Sequence, residues 1–142
     1  MRSAALEWRF PMPPSLLYQV LYVSTLRPEQ PLSVVAEIAH RARVRNAELG
    51  IGALLVFDGQ RFCQMLEGDR RPVLSLIERI RSDTRHTDVE VLYHGPLPAR
   101  RFSDLQLAFT SGEMDTSFEQ FAALDDRAAL AAFERLRLAL AH

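Results

Sequence analysis

The chain has 142 residues, enough for a single domain that buries its own core. Its 17 basic and 18 acidic residues nearly cancel, so the overall charge does not indicate nucleic-acid binding. Its apolar runs are far shorter than the roughly 20 residues of a membrane-spanning helix, and residues 1–15 lack the continuous apolar segment of a secretory signal. We therefore expect a cytoplasmic protein that binds neither membrane nor nucleic acid.

The first half of the chain predicts a strand, a helix and a hairpin. Residues 16–24 (LLYQVLYVS) are β-branched and aromatic with apolar positions on both faces, as in a strand covered from both sides. Residues 33–49 carry an apolar stripe at helical spacing and are followed by Gly50, which predicts a helix. An Asp-Gly-Gln sequence at 58–60 separates two apolar runs, which predicts a hairpin whose two turn residues both have positive φ.

The second half predicts a helix at residues 70–82, a strand at 88–93, a chain break at 95–98 and a further strand at 102–109. Residues 118–140 predict two short amphipathic helices that would cover the other face of the sheet. This order is that of a ferredoxin-like βαββαβ sheet in the α+β class, with a fifth strand and C-terminal helices added. We expect an N-terminal extension, a main domain and a helical cap, at residues 1–15, 16–110 and 111–142.

The sequence does not favour metal or nucleophile chemistry. Its single cysteine, Cys63, excludes an internal disulfide, has no CxxC partner and has no identifiable base beside it. The histidines are too scattered to predict a metal site; they are His40, His86, His94 and His142.

Arginines are concentrated at the ends of the two predicted helices. In a βαββαβ sheet these ends can converge at one edge, where arginine's planar fork suits a pyrophosphate. Cations also favour helix C-termini in the absence of any ligand, so a single arginine would decide nothing. The cluster comprises Arg41, Arg43 and Arg45 on the first helix and Arg79, Arg81, Arg85 and His86 around the end of the second.

Four polar residues are surrounded by apolar ones: Tyr22, Ser24, Asn46 and Gln64. Each alone could be a core polar group that is satisfied within the protein, because burying a carboxamide is costly only when it lacks partners. Together they would place hydroxyl and carboxamide groups around one helix-covered cleft. That set matches the edge of a flat heterocycle that offers carbonyl and ring N–H groups.

Five segments have a recognisable order and spacing: LYQVLYVS, RNAELGI, FDGQRFCQMLEG, RIRSDTRHTDVEVL and ARRFSD. The most specific pieces are RFCQMLEG and the Asp-x-Arg-His sequence at 83–86. Over roughly residues 16–110 the chain thus resembles the BLUF family of blue-light sensors. The resemblance implies a photoreceptor without enzymatic activity that binds FAD, with FMN or riboflavin as alternatives.

The resemblance also assigns residues. The family's YxS pattern falls on Tyr22 and Ser24, its flavin-binding asparagine on Asn46, and the glutamine of FxQxLEG on Gln64. It implies that Asp83 meets the ribityl hydroxyls, that arginines meet the phosphates and that isoleucines form apolar walls. The full set of implied flavin contacts is Ser24, Ile38, Arg45, Asn46, Phe62, Gln64, Arg79, Ile80, Asp83, Arg85 and His86.

The implied mechanism is photochemical. Tyr22 would give an electron and a proton to the excited flavin, and Gln64 would bridge the phenol and the flavin. Gln64 would then be left in a changed orientation or tautomer, with a stronger hydrogen bond to the flavin carbonyl. Absorption would move slightly to the red until the network relaxes.

The chain departs from the family on the fifth strand, where the WxM motif is replaced by Leu105 and Leu107. Leucine cannot hydrogen-bond to Gln64, so these two positions would relay the signal by packing, or the signal would take another route. In addition, Ile-Gly-Ala at 51–53 replaces the family's ITG, and Arg45 replaces a smaller polar residue.

The leading hypothesis is a stand-alone light sensor whose C-terminal helices contact a downstream signalling protein or a second copy of the chain. The alternative is a light-insensitive, BLUF-like protein-interaction module that has lost signalling or flavin. An acylphosphatase-like hydrolase would need an arginine and an asparagine above an open phosphate loop, and the sequence contains no such loop.

Overall fold

A computed structural model describes residues 17–110, 118–121 and 123–140. The predicted N-terminal extension lies outside them. The described strands are β1 (Leu17–Leu26), β2 (Gly52–Phe57), β3 (Arg61–Asp69), β4 (His86–Pro96) and β5 (Leu105–Phe109). The helices are α1 (Ser33–Leu49), α2 (Arg70–Arg81), α3 (Phe118–Phe121) and α4 (Asp126–Leu140).

The strands form one sheet in the order β4-β1-β3-β2-β5. The pairs β4–β1, β1–β3 and β3–β2 are antiparallel, while β5 is parallel to β2. This confirms the predicted ferredoxin-like α+β fold with an added fifth strand. β1, β3 and β2 lie in the interior of the sheet, and consecutive residues along them are mostly buried, so both faces of these strands are covered.

Helix α1 has the predicted bounds. Its buried positions recur at helical spacing, and Gly50 ends it with φ 68°, a left-handed conformation that glycine adopts without steric cost. The Gly50 N–H turns back to the carbonyls of Ala47 and Asn46. This short exit leads directly into β2 and fixes how the last turn of α1 lies on the sheet.

The β2–β3 turn differs from the predicted two-residue turn with positive φ at both positions. Among the described turn residues only Gly59 has positive φ, at 100°. Asp58 instead closes a longer loop with its side chain, whose Oδ1 accepts from the N–H of Gln60 at 2.9 Å and of Arg61 at 2.6 Å. An Asx-type turn therefore replaces the mirror-image turn.

Two strand boundaries also differ from the prediction. β4 continues through Gly95 and Pro96, where a break was expected, because β4 lies at the sheet edge and proline's missing N–H is tolerated there. β5 begins at Leu105 rather than at residue 102. The segment that precedes β5 is fixed instead by Glu67, whose carboxylate accepts hydrogen bonds from the N–H groups of Arg101 and Phe102.

The sheet has a helix layer on each face. α1 and α2 cover the face that carries Tyr22 and Leu66. α3 and α4 cover the opposite face, where their buried aromatic residues pack on Leu21, Leu54 and Met65. None of the described helices is long and apolar enough to cross a membrane.

Candidate functional site

The site is centred on Tyr22 of β1 and Gln64 of β3, which are direct partners across the two strands. Both side chains are buried on the α1/α2 face. The Tyr22 hydroxyl donates a 2.5 Å hydrogen bond to Oε1 of Gln64. Two polar groups predicted from different segments are thus in direct contact.

The environment of Tyr22 keeps its phenol protonated. Burial raises the pKa of Tyr22 far above its ordinary value, and the charge of Cys63 would raise it further. Nearby Arg45 acts in the opposite direction but does not outweigh burial. Tyr22 therefore keeps an O–H proton available for donation over the physiological pH range.

A cleft opens between α1 and α2 beside this pair, with an empty volume of about 580 Å³ that includes its mouth. Its lining combines apolar side chains with four arginines. The lining residues are Tyr22, Ile38, Arg41, Ala42, Arg45, Leu55, Phe62, Gln64, Arg79, Ile80, Asp83, Arg85 and His86. Ten of the side chains predicted for the site, including Tyr22, are in this set.

Asn46 is buried, with 1% of its surface exposed, one turn of α1 beyond the cleft-lining Ala42. Its Oδ1 accepts a long hydrogen bond of 3.4 Å from Arg45, while its Nδ2 has no hydrogen-bond partner. It is the only buried side-chain nitrogen or oxygen without a partner among the described residues. Such an orphaned donor costs stability and is typically explained by a missing ligand or water.

The cleft carries more positive than negative charge. Burial lowers the pKa of Arg45, and the neighbouring charge of Arg79 lowers it further. No ion pair or side-chain hydrogen bond joins Arg41 or Arg79 to another described residue. An anion in the cleft would relieve this repulsion between cations.

Asp83 and Arg85 form a bidentate pair at the mouth. Arg85 donates from Nε to Oδ1 at 3.0 Å and from its terminal nitrogen to Oδ2 at 2.5 Å. These hydrogen bonds lower the pKa of Asp83, and the same carboxylate raises that of Arg85. The Arg85 guanidinium is therefore held in place, with Glu37 4.0 Å away on its other side.

Ser24 does not line the cleft but contacts His86, which does. Nδ1 of His86 lies 2.9 Å from the Ser24 hydroxyl, and Nε2 lies 2.7 Å from the carbonyl of Ile80. Because a carbonyl only accepts, Nε2 must donate, and in neutral His86 the Nδ1 then accepts from Ser24. Ser24, which lies outside the cleft, thus orients the ring of His86.

Two of the clustered arginines do not join the cleft. Arg43 turns to the sheet edge and donates to the Leu105 carbonyl at 3.2 Å, while Arg81 pairs with Glu78 at 3.7 Å. The expected gathering of six arginines is therefore wrong, because residues two apart on a helix point in different directions. Arg41, Arg45, Arg79 and Arg85 remain.

Leu105 and Leu107 lie on the face of β5 that α1 and α2 cover. Leu107 is the cross-strand partner of Leu55, and Leu55 is the partner of Gln64, so the three form one row across neighbouring strands. Leu105 is buried and packs with Ala53 one row away. Leu55 therefore stands between Gln64 and the fifth strand.

Three cleft residues were absent from the predicted contact set: Arg41, Ala42 and Leu55. Ala42 lies four residues from both Ile38 and Asn46, so helical spacing alone could have found it. Leu55 could not be distinguished from its neighbours in β2, because all six residues of that strand are buried.

A family model, described as sensors of blue-light using FAD, matches residues 17–108. Among curated relatives, the blue light- and temperature-regulated antirepressor BluF of Escherichia coli (strain K12) is 32% identical over 87 residues, covering 61% of this chain and 22% of the relative. The photoactivated adenylate cyclase subunit beta of Euglena longa is 34% identical over 106 residues, covering 73% and 12%. The chain thus spans less than a quarter of these relatives' length.

Solved structures match with the same topology. BlrB, a BLUF protein in its dark state, is 33% identical at a TM-score of 0.62, covering 68% of this chain and 74% of that one. Klebsiella pneumoniae BlrP1, solved with FMN and cyclic diGMP, is 33% identical at a TM-score of 0.62. That match covers 74% of this chain and 29% of BlrP1.

Proposed function

Because this chain belongs to the BLUF family, whose members sense blue light with a flavin, we propose that Tyr22 and Gln64 are its light-switchable pair and that its cleft holds FAD. The chain is a blue-light sensor domain and not itself catalytic. The observation that carries the residue assignment is the buried hydrogen bond between Tyr22 and Gln64, two of the side chains that line the cleft between α1 and α2.

The cleft fits a flavin in shape and polarity. Ile38 and Ile80 offer apolar walls from the two helices that flank it. The orphaned Nδ2 of Asn46 is a donor without an acceptor, and a flavin's pyrimidine ring carries carbonyl oxygens. Asn46 would satisfy this donor by binding such a carbonyl, and its long contact with Arg45 opposes that change only weakly.

When bound, the flavin supplies blue-light absorption and an excited state that accepts an electron. Tyr22 is the phenol that lines the cleft, and its raised pKa keeps the proton that must leave with the electron. Its hydrogen bond to Gln64 gives that proton a defined acceptor side chain. We therefore assign Tyr22 as the donor.

Gln64 is suited to switching because its amide can bind Tyr22 in two ways. With Oε1 toward the phenol it accepts, as observed; with Nε2 toward the phenol it would donate, since a hydroxyl both donates and accepts. Turning the amide exchanges a donor for an acceptor on its other side. Buried polar groups respond strongly to such an exchange, because the alternative is an unpaired group in a low dielectric.

FAD is favoured over riboflavin by the charges that line the cleft. Arg41 and Arg79 are free of ion pairs among the described residues, and Arg45 is electrostatically strained beside Arg79. A pyrophosphate would stabilise all three, whereas riboflavin has no charge to offer. Ser24 would act one layer further out, by holding His86, which joins the end of α2 to β1.

A light sensor must pass its signal on to another activity. The relatives are named as an antirepressor and an adenylate cyclase subunit. We propose that this chain signals to a separate downstream protein through the C-terminal cap that contains α3 and α4, while residues 16–110 form the flavin-binding unit. A second copy of the chain could serve as that partner.

Titration of the apoprotein with FAD, FMN and riboflavin tests the binding assignment. We expect a yellow complex with all three and the tightest binding for FAD. A folded apoprotein that takes up none of them would refute flavin binding at this cleft, and equal affinities would refute the phosphate role of its arginines.

A further inference from the structure

Glu67 is a fully buried carboxylate that lies three residues after Gln64 on β3 and points to the opposite face of the sheet. One of its oxygens accepts from the backbone N–H groups of Arg101 and Phe102, the latter at 2.8 Å. The other accepts from Nε of Arg101 at 3.1 Å. A buried charge is tolerated only with such complete pairing, so the segment around Arg101 is firmly fixed to β3.

Arg101 also joins this segment to helix α4. Its guanidinium donates to Glu134 of α4 and, at 2.8 Å, to Oε1 of Gln19 on β1. Its planar fork of N–H donors allows one side chain to serve three partners at once. Glu67, Arg101 and Glu134 form what we call the α4 bridge, because it connects a sheet carboxylate to a helix carboxylate through one cation.

A short, closely packed segment connects the α4 bridge to β5. The Phe102 carbonyl packs directly on Gly52, where a Cβ would lie only 2.1 Å from that oxygen. Two residues later, the Asp104 carbonyl accepts from the N–H of Ala53 at 3.0 Å. Only three residues separate Arg101 from Leu105, so a shift of the start of β5 must displace the guanidinium.

On its other side, β5 is connected to Gln64 of the proposed light-switchable pair. Gln64, Leu55 and Leu107 form one side-chain row from β3 to β5. A reoriented Gln64 amide changes the packing of that row, and close-packed interiors transmit such changes because they contain few voids. The leucines contribute no hydrogen bond, so displacement of β5 is the signal that this row can carry.

We propose that the α4 bridge couples light sensing to output: Arg101 converts a displacement of β5 into release of helix α4 from the sheet. This inference rests on the proposed function, since Gln64 supplies the displacement. Arg101 acts as a positioning residue that never touches the flavin. The bridge is intact in the structure described, so a displacement of β5 away from α4 would lengthen its contacts and loosen α4.

Hydrogen exchange of the flavin-loaded full chain, in darkness and under blue light, tests the coupling. In the unmodified protein, light should speed exchange of the α4 amides by about fivefold or more, the usual scale of allosteric coupling. The informative variant is Glu134→Ala, because it removes the acceptor for Arg101 at a partly exposed residue without leaving Glu67 unpaired. It should keep the full spectral shift and lose the light-dependent part of α4 exchange.

Arg137→Gln is the matched control, because Arg137 also binds Glu134 but does not reach the sheet carboxylate. It should keep the light-dependent exchange. A Glu134→Ala variant that retains the light-dependent difference would overturn the inference, as would an unmodified protein that shifts its spectrum with α4 exchange unchanged. A missing spectral shift in the unmodified protein would instead refute the proposed function on which the inference rests.

Discussion

The Tyr22 hydroxyl donates a 2.5 Å hydrogen bond to the side-chain carbonyl of Gln64, its direct partner across β1 and β3. The pairing comes from sheet register, so the backbone holds the two side chains together whether or not a ligand is bound. Because both residues are buried, the hydrogen bond has little competition from water. Under the proposed function, light would act on this contact without any large movement of the chain.

Removing the phenol hydroxyl should abolish the photoresponse while sparing the cofactor. Tyr22→Phe keeps the ring that lines the cleft but has no proton or easily removed electron to give. We expect flavin binding within about fivefold of the unmodified protein, since a neutral hydrogen bond contributes only about 1 kcal/mol. The light-induced shift should vanish in absorption spectra. Tyr18→Phe is the control, because Tyr18 bonds to His94 away from the cleft; it should shift normally.

Gln64→Leu should bind flavin and fail to switch. Leucine fills similar space, but it cannot present alternately a donor and an acceptor to the flavin. The variant also leaves the Tyr22 hydroxyl without its partner, so the apoprotein should lose about 1–3 kcal/mol of unfolding free energy. Absorption and urea denaturation measure the two effects. A normal red shift in this variant would exclude Gln64 as the switch.

Asn46→Leu separates ligand binding from stability. Its Nδ2 has no partner in the protein, so its removal relieves a buried donor and leaves the apoprotein equally or more stable. Flavin affinity should fall about tenfold, the value of one hydrogen bond near 1.4 kcal/mol. Calorimetric titration and denaturation of the same sample check both. An unchanged affinity would show that Asn46 does not bind the flavin.

The phosphate assignment predicts a selective loss. Arg79→Gln should weaken FAD binding about tenfold, because hydrogen bonds to charged groups contribute about 1.5–3 kcal/mol, and should change riboflavin binding little. Arg81→Gln is the matched control, since Arg81 is two residues away but outside the cleft and paired with Glu78. Equal losses for FAD and riboflavin in Arg79→Gln would contradict the assignment.

Stability should fall at alkaline pH. Burial raises the pKa of both Tyr22 and Cys63, so the folded chain keeps protons that the unfolded chain releases. The stabilisation is complete below the unfolded pKa of cysteine, about 8.5, and is lost as pH rises, by about 1.4 kcal/mol per unit for each group. The chain contains no lysine to obscure this titration. Urea denaturation of Cys63→Ala should show a shallower decline between the unfolded pKa values of cysteine, about 8.5, and tyrosine, about 10.

The sequence predicts the fold well where local chemistry decides it. The bounds of α1 follow from an apolar stripe and Gly50, and the strand order follows from the βαββαβ pattern. The β2–β3 turn was mispredicted because Asp58 uses its side chain to close the loop, which a dipeptide rule does not consider. The end of β4 was misplaced because only the sheet order reveals that its proline lies on an edge strand.

The site could be predicted as a set of residues but not as an arrangement. Gln64 and Tyr22 stood out because polar groups in apolar strands require partners. Arg43 points away from the cleft, whereas Arg41 and Arg45 line it. This difference depends on how α1 is rotated on the sheet, and side-chain packing determines that rotation. The contacts of the α4 bridge could not be predicted, because its three charges come from segments that are 33 or more residues apart.

The central claim is that the Tyr22–Gln64 pair reports blue light through a bound flavin. A dark-minus-light absorption spectrum of the FAD-loaded protein tests it most directly. The account predicts a small, reversible red shift of the flavin band that returns fully in darkness. A yellow, stably loaded protein whose spectrum does not change under blue light would contradict it.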